Sequence, residues 1–139
     1  KIEELDLIFK TLKKKGIHYK IFEYGKYRNS DLIKHAKNSE FGIIINKTES
    51  QGIATQEIMS TGLPLIINGE KENNFWGTKL AGSSVPYWSD DCGIIIDSLE
   101  NFEDNLSNFL INIKSYNPIN LIIKHLTFEQ TQKNLIKNF

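Results

Sequence analysis

The sequence is poor in features that would mark a stapled, membrane-bound or strongly charged protein. Its 139 residues hold one cysteine, Cys92, which excludes an internal disulfide and a cysteine-cluster zinc site and fits a reducing compartment. Seventeen Lys and Arg balance seventeen Asp and Glu to a formal net charge of zero. No overall field then draws the chain to nucleic acid or to an anionic membrane. The longest apolar runs, Phe41 to Ile45 and Cys92 to Ile96, are far too short to cross a bilayer, and no leader sequence opens the chain. No transmembrane segment and no nucleic-acid partner are expected, and the location read from these absences is cytoplasmic. Repeats, low-complexity tracts and proline-rich linkers are also missing, so residues 1–139 read as one domain.

What is present is a regular alternation of helix and strand. Ile2, Leu5, Ile8, Phe9 and Leu12 recur at helical spacing, with acids early, Lys13 to Lys15 late and Gly16 as the stop. Ile17 to Glu23 alternates and reads as a strand entering a turn at Gly25. Ser30 is placed to cap a helix carrying Leu32, Ile33 and Ala36. Phe41 to Asn46 reads as a central parallel strand buried on both faces. A helix over 53–60 stopped by Gly62 and a strand over 63–68 follow. Gly69 to Asp91 is expected to be loop with one short helix. A strand at Gly93 to Asp97, a helix from Leu99 to Ser115 and a last helical region opened by Pro118 complete the order. The fold class that follows is α/β, a Rossmann-like, doubly wound parallel sheet. Such a domain normally begins with a strand, whereas this chain begins with a helix and without methionine. At least one strand, the first, is therefore expected upstream.

Ligands of open parallel sheets sit beyond the carboxyl ends of the strands. Glu49-Ser50-Gln51-Gly52-Ile53-Ala54-Thr55-Gln56-Glu57 occupies that place, with one carboxylate in the strand-to-helix loop and a second about a turn into the helix. Gly52 has no side chain to block close approach, so the N–H groups of Gly52, Ile53 and Ala54 are suited to an anion. Two carboxylates around an anion suit sugar hydroxyls on either side of a phosphate, one glycosyl and one ribosyl.

Glu49 and Glu57, with seven residues between them, resemble the paired glutamates of the group 1, retaining, GT-B-type glycosyltransferases. Glu57-Ile58-Met59-Ser60-Thr61-Gly62-Leu63-Pro64-Leu65-Ile66 is similar to the family's Glu-Ala-x-x-x-Gly-x-Pro-Val-Ile. Weaker likeness covers Tyr24-Gly25 through Asp31-Leu32 and the tail from His125 to Gln130. The resemblance implies the C-terminal half of a GT-B fold, which binds a nucleoside diphosphate sugar. It implies glycosyl transfer with retention in polysaccharide or glycoconjugate synthesis, without a cofactor and without an obligatory metal. By position Glu49 resembles the catalytic glutamate facing the donor sugar and Glu57 the one holding the ribose. Ser50, Gln51, Gly52 and Ile53 would line the donor, the amides of the last two facing its phosphates or sugar. Backbone amides and cations would stabilise the departing diphosphate, and a carboxylate the charge on the sugar ring.

The partner implied is an N-terminal acceptor-binding domain outside this chain, through which the enzyme would reach the inner face of a membrane. The family's basic phosphate-binding residues would also lie outside it. Asn68-Gly69-Glu70 and the loop through Trp76-Gly77-Thr78 depart from the family pattern and point to altered donor specificity. A non-catalytic nucleotide-sugar-binding or regulatory module is the alternative of another class. Asp90 and Asp91 read as a solvated turn, His18, His35 and His125 as structural or surface groups, and Lys13 to Lys15 as a solvated helix end. Cys92 reads as a small core residue. Trp76, Tyr87 and Trp88 suit stacking platforms and core packing equally, while Tyr24 and Tyr27 favour packing.

Overall fold

The computed structural model of the chain describes residues 2–45, 52–69, 73–75, 78–80, 85 and 87–137. It is an α/β structure. Helix α1 spans Ile2–Lys14 and α2 spans Asn29–Ala36; strand β1 spans Gly42–Ile45. Helix α3 (Ile53–Met59) leads to β2 (Leu65–Asn68), a short pair β3 (Asn73–Phe75) and β4 (Thr78–Leu80), and then β5 (Gly93–Ile96). Helices α4 (Phe102–Ile111), α5 (Ile119–His125) and α6 (Phe128–Lys137) complete the chain.

The main sheet has the order β1-β2-β5 and is parallel throughout. Its register aligns Ile43 with Ile66 and Ile94, and Ile44 with Ile67 and Ile95. Because successive side chains point to opposite faces, the first row packs into one apolar layer and the second into the other. The layer holding Ile66 also contains Ile8 and Leu12 of α1 and Phe102, Leu106 and Phe109 of α4. The layer holding Ile67 contains Leu32 and Ala36 of α2, Ile58 and Met59 of α3 and Leu121 of α5. Leu65, Ile66 and Ile67 have no exposed surface, as expected for a strand covered by helices on both sides. Each such side chain contributes about 1.5–3 kcal/mol of burial free energy.

Local chemistry sets the ends of the elements. Gly16, at φ 67°, closes α1, where Ile17 N–H donates to the Leu12 carbonyl at 2.9 Å and Gly16 N–H to Lys13 at 3.1 Å, a paired C-terminal cap. The lysines just before Gly16 have partners as well as solvent exposure. Lys14 Nζ donates to both carboxylate oxygens of Glu103, at 2.8 and 3.0 Å, and Lys15 Nζ to Ser107 Oγ at 2.8 Å, tying α1 to α4.

Several elements differ from expectation. Ile17 to Glu23 is not a strand: it has no ladder partner among the described residues, and alternation alone cannot supply one. Tyr19 stacks on Phe9 and Phe22 meets His35 edge-on, so its side chains still pack alternately against α1 and α2. Ser30 does not cap α2; the helix starts one residue earlier, after an extended Arg28 without a side-chain cap. β1, expected at the centre, pairs only with β2 among the described strands, and β2 is central. An apolar run reports burial by helices on either face but says nothing of how many neighbours share the ladder. Residues 69–91 contain the antiparallel pair β3 and β4, whose three-residue strands are too short for a periodic signal, besides a helical turn at Asp90–Cys92. The helix expected from Leu99 begins at Phe102 and passes into a tight turn at Ile113–Ser115, while the last helical region breaks at Leu126 and Thr127 into α5 and α6.

Candidate functional site

The candidate site lies where β1 hands the chain to α3, at the carboxyl end of the parallel sheet. Of the residues read from the sequence, Glu49, Ser50 and Gln51 fall outside the described residues. Gly52, Ile53 and Glu57 are described. Gly52 is buried and adopts the left-handed conformation, φ 63° and ψ 33°, which a residue with a Cβ enters at a cost of about 1–2 kcal/mol. The first bond of α3 runs from Gln56 N–H to the Gly52 carbonyl at 2.9 Å. The N–H groups of Ile53 and Ala54 therefore precede the intrahelical ladder and point out of the helix start.

Spacing along α3 decides which side chains reach the core. Thr55, Ile58 and Met59 are buried against the sheet, at the three- and four-residue intervals of one helical face. Ile53 is left 58% exposed, so any part it plays at a ligand falls to its backbone. Glu57 is half-buried at the edge of the packed face. Asn29, the first residue of α2, donates from Nδ2 to Glu57 Oε1 at 3.1 Å. A carboxylate can only accept, so the amide nitrogen of Asn29 is the atom that must face it. The packing of α2 and α3 through Leu32, Ala36, Ile58 and Met59 brings the two residues together across 28 positions of sequence.

Asn29 was not legible as a site residue. Its type and its place just before Leu32 mark a helix start, and that local signal says nothing about Glu57. Beside it, an open groove of about 830 Å³ is bounded by Lys20, Glu23, Lys26, Tyr27, Arg28 and Asp31. Lys26 pairs with Glu23 at 2.8 Å, and Lys20 Nζ lies 5.4 Å from the centre of the Phe22 ring. Tyr27 packs edge-on against Phe22, whereas Tyr24 is 92% exposed.

Other candidate residues take bland places. Cys92 is fully buried in the α2, α3 and α5 layer, and Trp88 packs partly buried against the same layer. Tyr87 is exposed, Asp90 and Asp91 are exposed in their helical turn, and Trp76 lies outside the described residues. His35 Nδ1 sits 2.9 Å from the Asp31 carbonyl of its own helix. Among the described residues two ionisable groups have displaced titrations, and both belong to the opposite layer. Lys14 holds the Glu103 carboxyl below its ordinary range, chiefly through their hydrogen bond, and burial raises the Tyr116 phenol. Among the described residues no three His, Cys, Asp or Glu side chains converge, and no helix is long and apolar enough to cross a membrane.

No protein-family model, curated protein or solved structure matches the chain.

Proposed function

We propose that this chain is the nucleotide-sugar-binding domain of a glycosyltransferase, acting with an acceptor-binding domain that is not part of the 139 residues. The observation that carries the proposal is the placement of Glu57. This half-buried residue stands one turn into α3, has one carboxylate oxygen engaged by Asn29, and follows a left-handed Gly52 at the carboxyl end of β1.

An acceptor-only group in that position suits a vicinal pair of ribose hydroxyls, while the small Gly52 lets a ligand approach the amides at the helix start. In this reading Glu57 holds the ribose and Glu49, eight residues earlier in the sequence, faces the glycosyl group. Ser50, Gln51, Gly52 and Ile53 line the donor between them. The reaction is transfer of a glycosyl group from a nucleoside diphosphate sugar with retention of configuration, in polysaccharide or glycoconjugate synthesis. Support for the reaction itself comes from the resemblance of the Glu49 to Ile66 segment to group 1 glycosyltransferases.

Calorimetric titration with UDP, GDP and ADP and their common sugar conjugates tests the reading. Saturable binding of one nucleotide series, with an added contribution from the sugar, is the expected result. Absence of binding by both the chain and the protein that contains it would remove the proposal. Nucleotide-sugar binding by a complete protein that transfers no sugar would point to a regulatory module instead.

A further inference from the structure

We propose that Asn29 is the positioning residue for Glu57, fixing its carboxylate so that the second oxygen, Oε2, presents to a ribose hydroxyl. The inference rests on the nucleotide-binding reading above and adds to it a residue from a different helix.

A glutamate side chain has three rotatable bonds, and a half-buried one at a helix surface samples several rotamers unless something holds it. Among the described residues the Asn29 amide is the side-chain partner of the Glu57 carboxylate, bonding Oε1 at 3.1 Å. Two features make this contact more than incidental. Asn29 is the first residue of α2, and α2 is anchored by Leu32 and Ala36 in the same layer that anchors α3 by Ile58 and Met59. Donor and acceptor therefore ride on packed elements, and the amide needs few rotamers of its own to reach. Among the described residues Glu57 also keeps unused acceptor capacity, since an ionised carboxylate has about four lone-pair positions and Asn29 takes one. A second atom of Glu57 is tied as well: its backbone carbonyl accepts from Ser60 Oγ at 2.6 Å, at the end of α3.

Holding one oxygen of a carboxylate restricts the other to a narrow arc. The entropy of ordering Glu57 is then lost on folding instead of on binding, which raises affinity without a new ligand contact.

The test compares wild type with Asn29→Ala, Asn29→Asp and Asn29→Gln, titrated with whichever of UDP, GDP and ADP binds most tightly, alongside Glu57→Ala and urea unfolding of each variant. Asn29→Asp is decisive because aspartate has the same shape and favours a helix N-terminus, so a merely structural role is preserved. It cannot donate, however, and it faces Glu57 with like charge. Asn29→Ala should weaken binding by about 3- to 10-fold, the equivalent of one partly exposed hydrogen bond. Asn29→Asp should weaken it by more than about 10-fold at unchanged or higher urea midpoint, and Asn29→Gln, which keeps the donor, should restore it to within about 3-fold. If Glu57→Ala weakens binding while Asn29→Ala and Asn29→Asp do not, the positioning role is overturned and the ribose role of Glu57 survives. Binding that ignores Glu57→Ala, or no binding by either the wild-type chain or the protein that contains it, overturns both.

Discussion

Replacing Gly93 by alanine should destabilise the protein more than any other glycine substitution at a described position. A Cβ built there would lie 2.0 Å from the Leu65 carbonyl oxygen and 2.9 Å from the Leu65 C and N. Carbon–oxygen contacts across a sheet normally sit at about 3.3 Å or more, so the overlap is about 1.3 Å. The obstacle is backbone on the central strand, not a side chain that can turn away. Relief would require opening the β2–β5 pair, normally about 4.8 Å apart, by roughly a quarter of its spacing. The backbone at φ 131° adds a second cost, because side-chain-bearing residues rarely adopt it. Conformational strain of about 1–3 kcal/mol and overpacking of a similar size together give about 3–5 kcal/mol. That is a large share of the roughly 5–15 kcal/mol a domain has in total.

Gly16 is the internal control: its φ is 67°, and a Cβ there meets nothing within 4 Å. Gly16→Ala should then cost about 1–2 kcal/mol, from conformation alone. Urea unfolding followed by tryptophan fluorescence would measure both variants. Equal losses for Gly93→Ala and Gly16→Ala would refute the close approach of β5 to β2, and with it the register that builds the sheet.

Further expectations concern the packing around that sheet. Phe109 is 1% exposed and meets the rings of Phe41 and Tyr116 at 5.6 and 5.0 Å, so Phe109→Ala should cost about 3–5 kcal/mol in the same unfolding assay. Lys14→Met should raise the Glu103 titration, followed by carboxyl carbon NMR, back toward an ordinary carboxylate. Since the folded value is the lower one, this pair stabilises wild type above the unfolded carboxylate range, and the contribution is lost as pH falls through the folded pKa. The acid limb of the stability profile should therefore be shallower in Lys14→Met. Gly42 N–H bonds to the Pro64 carbonyl on the β2 side, so alternation turns the Ile43 and Ile45 amides to the outer edge of β1. Those two amides should exchange with deuterium faster than Ile66 and Ile67, and equal protection would show that the edge is covered.

Much of this architecture was legible in the sequence, because the patterns that mark it are local. The α1 stripe of Ile8 and Leu12 and the stops at Gly16 and Gly62 act through periodicity and single-residue conformation, and all appear in the structure. What alternation could not convey was pairing. Ile17 to Glu23 has the pattern of a strand without a ladder, and the apolar Gly42–Ile45 run is an edge of the described sheet, because hydrogen-bond partners are supplied from elsewhere in the chain. The candidate site divides in the same way. Gly52 could be read from its place between strand and helix, whereas Asn29 meets Glu57 only after α2 and α3 have packed. The lysines ending α1 looked solvated for a related reason: Glu103 and Ser107, which receive them, lie some ninety residues away.

The most direct measurement pairs the tightest-binding nucleoside diphosphate with its 2′,3′-dideoxy analogue, each titrated into wild type and Glu57→Ala. If Glu57 holds the ribose, wild type should prefer the ribonucleotide by about 10- to 100-fold, as for a hydrogen bond to a charged acceptor, and Glu57→Ala should bind both equally. A wild type indifferent to the missing hydroxyls, or a preference that survives in Glu57→Ala, would contradict the account.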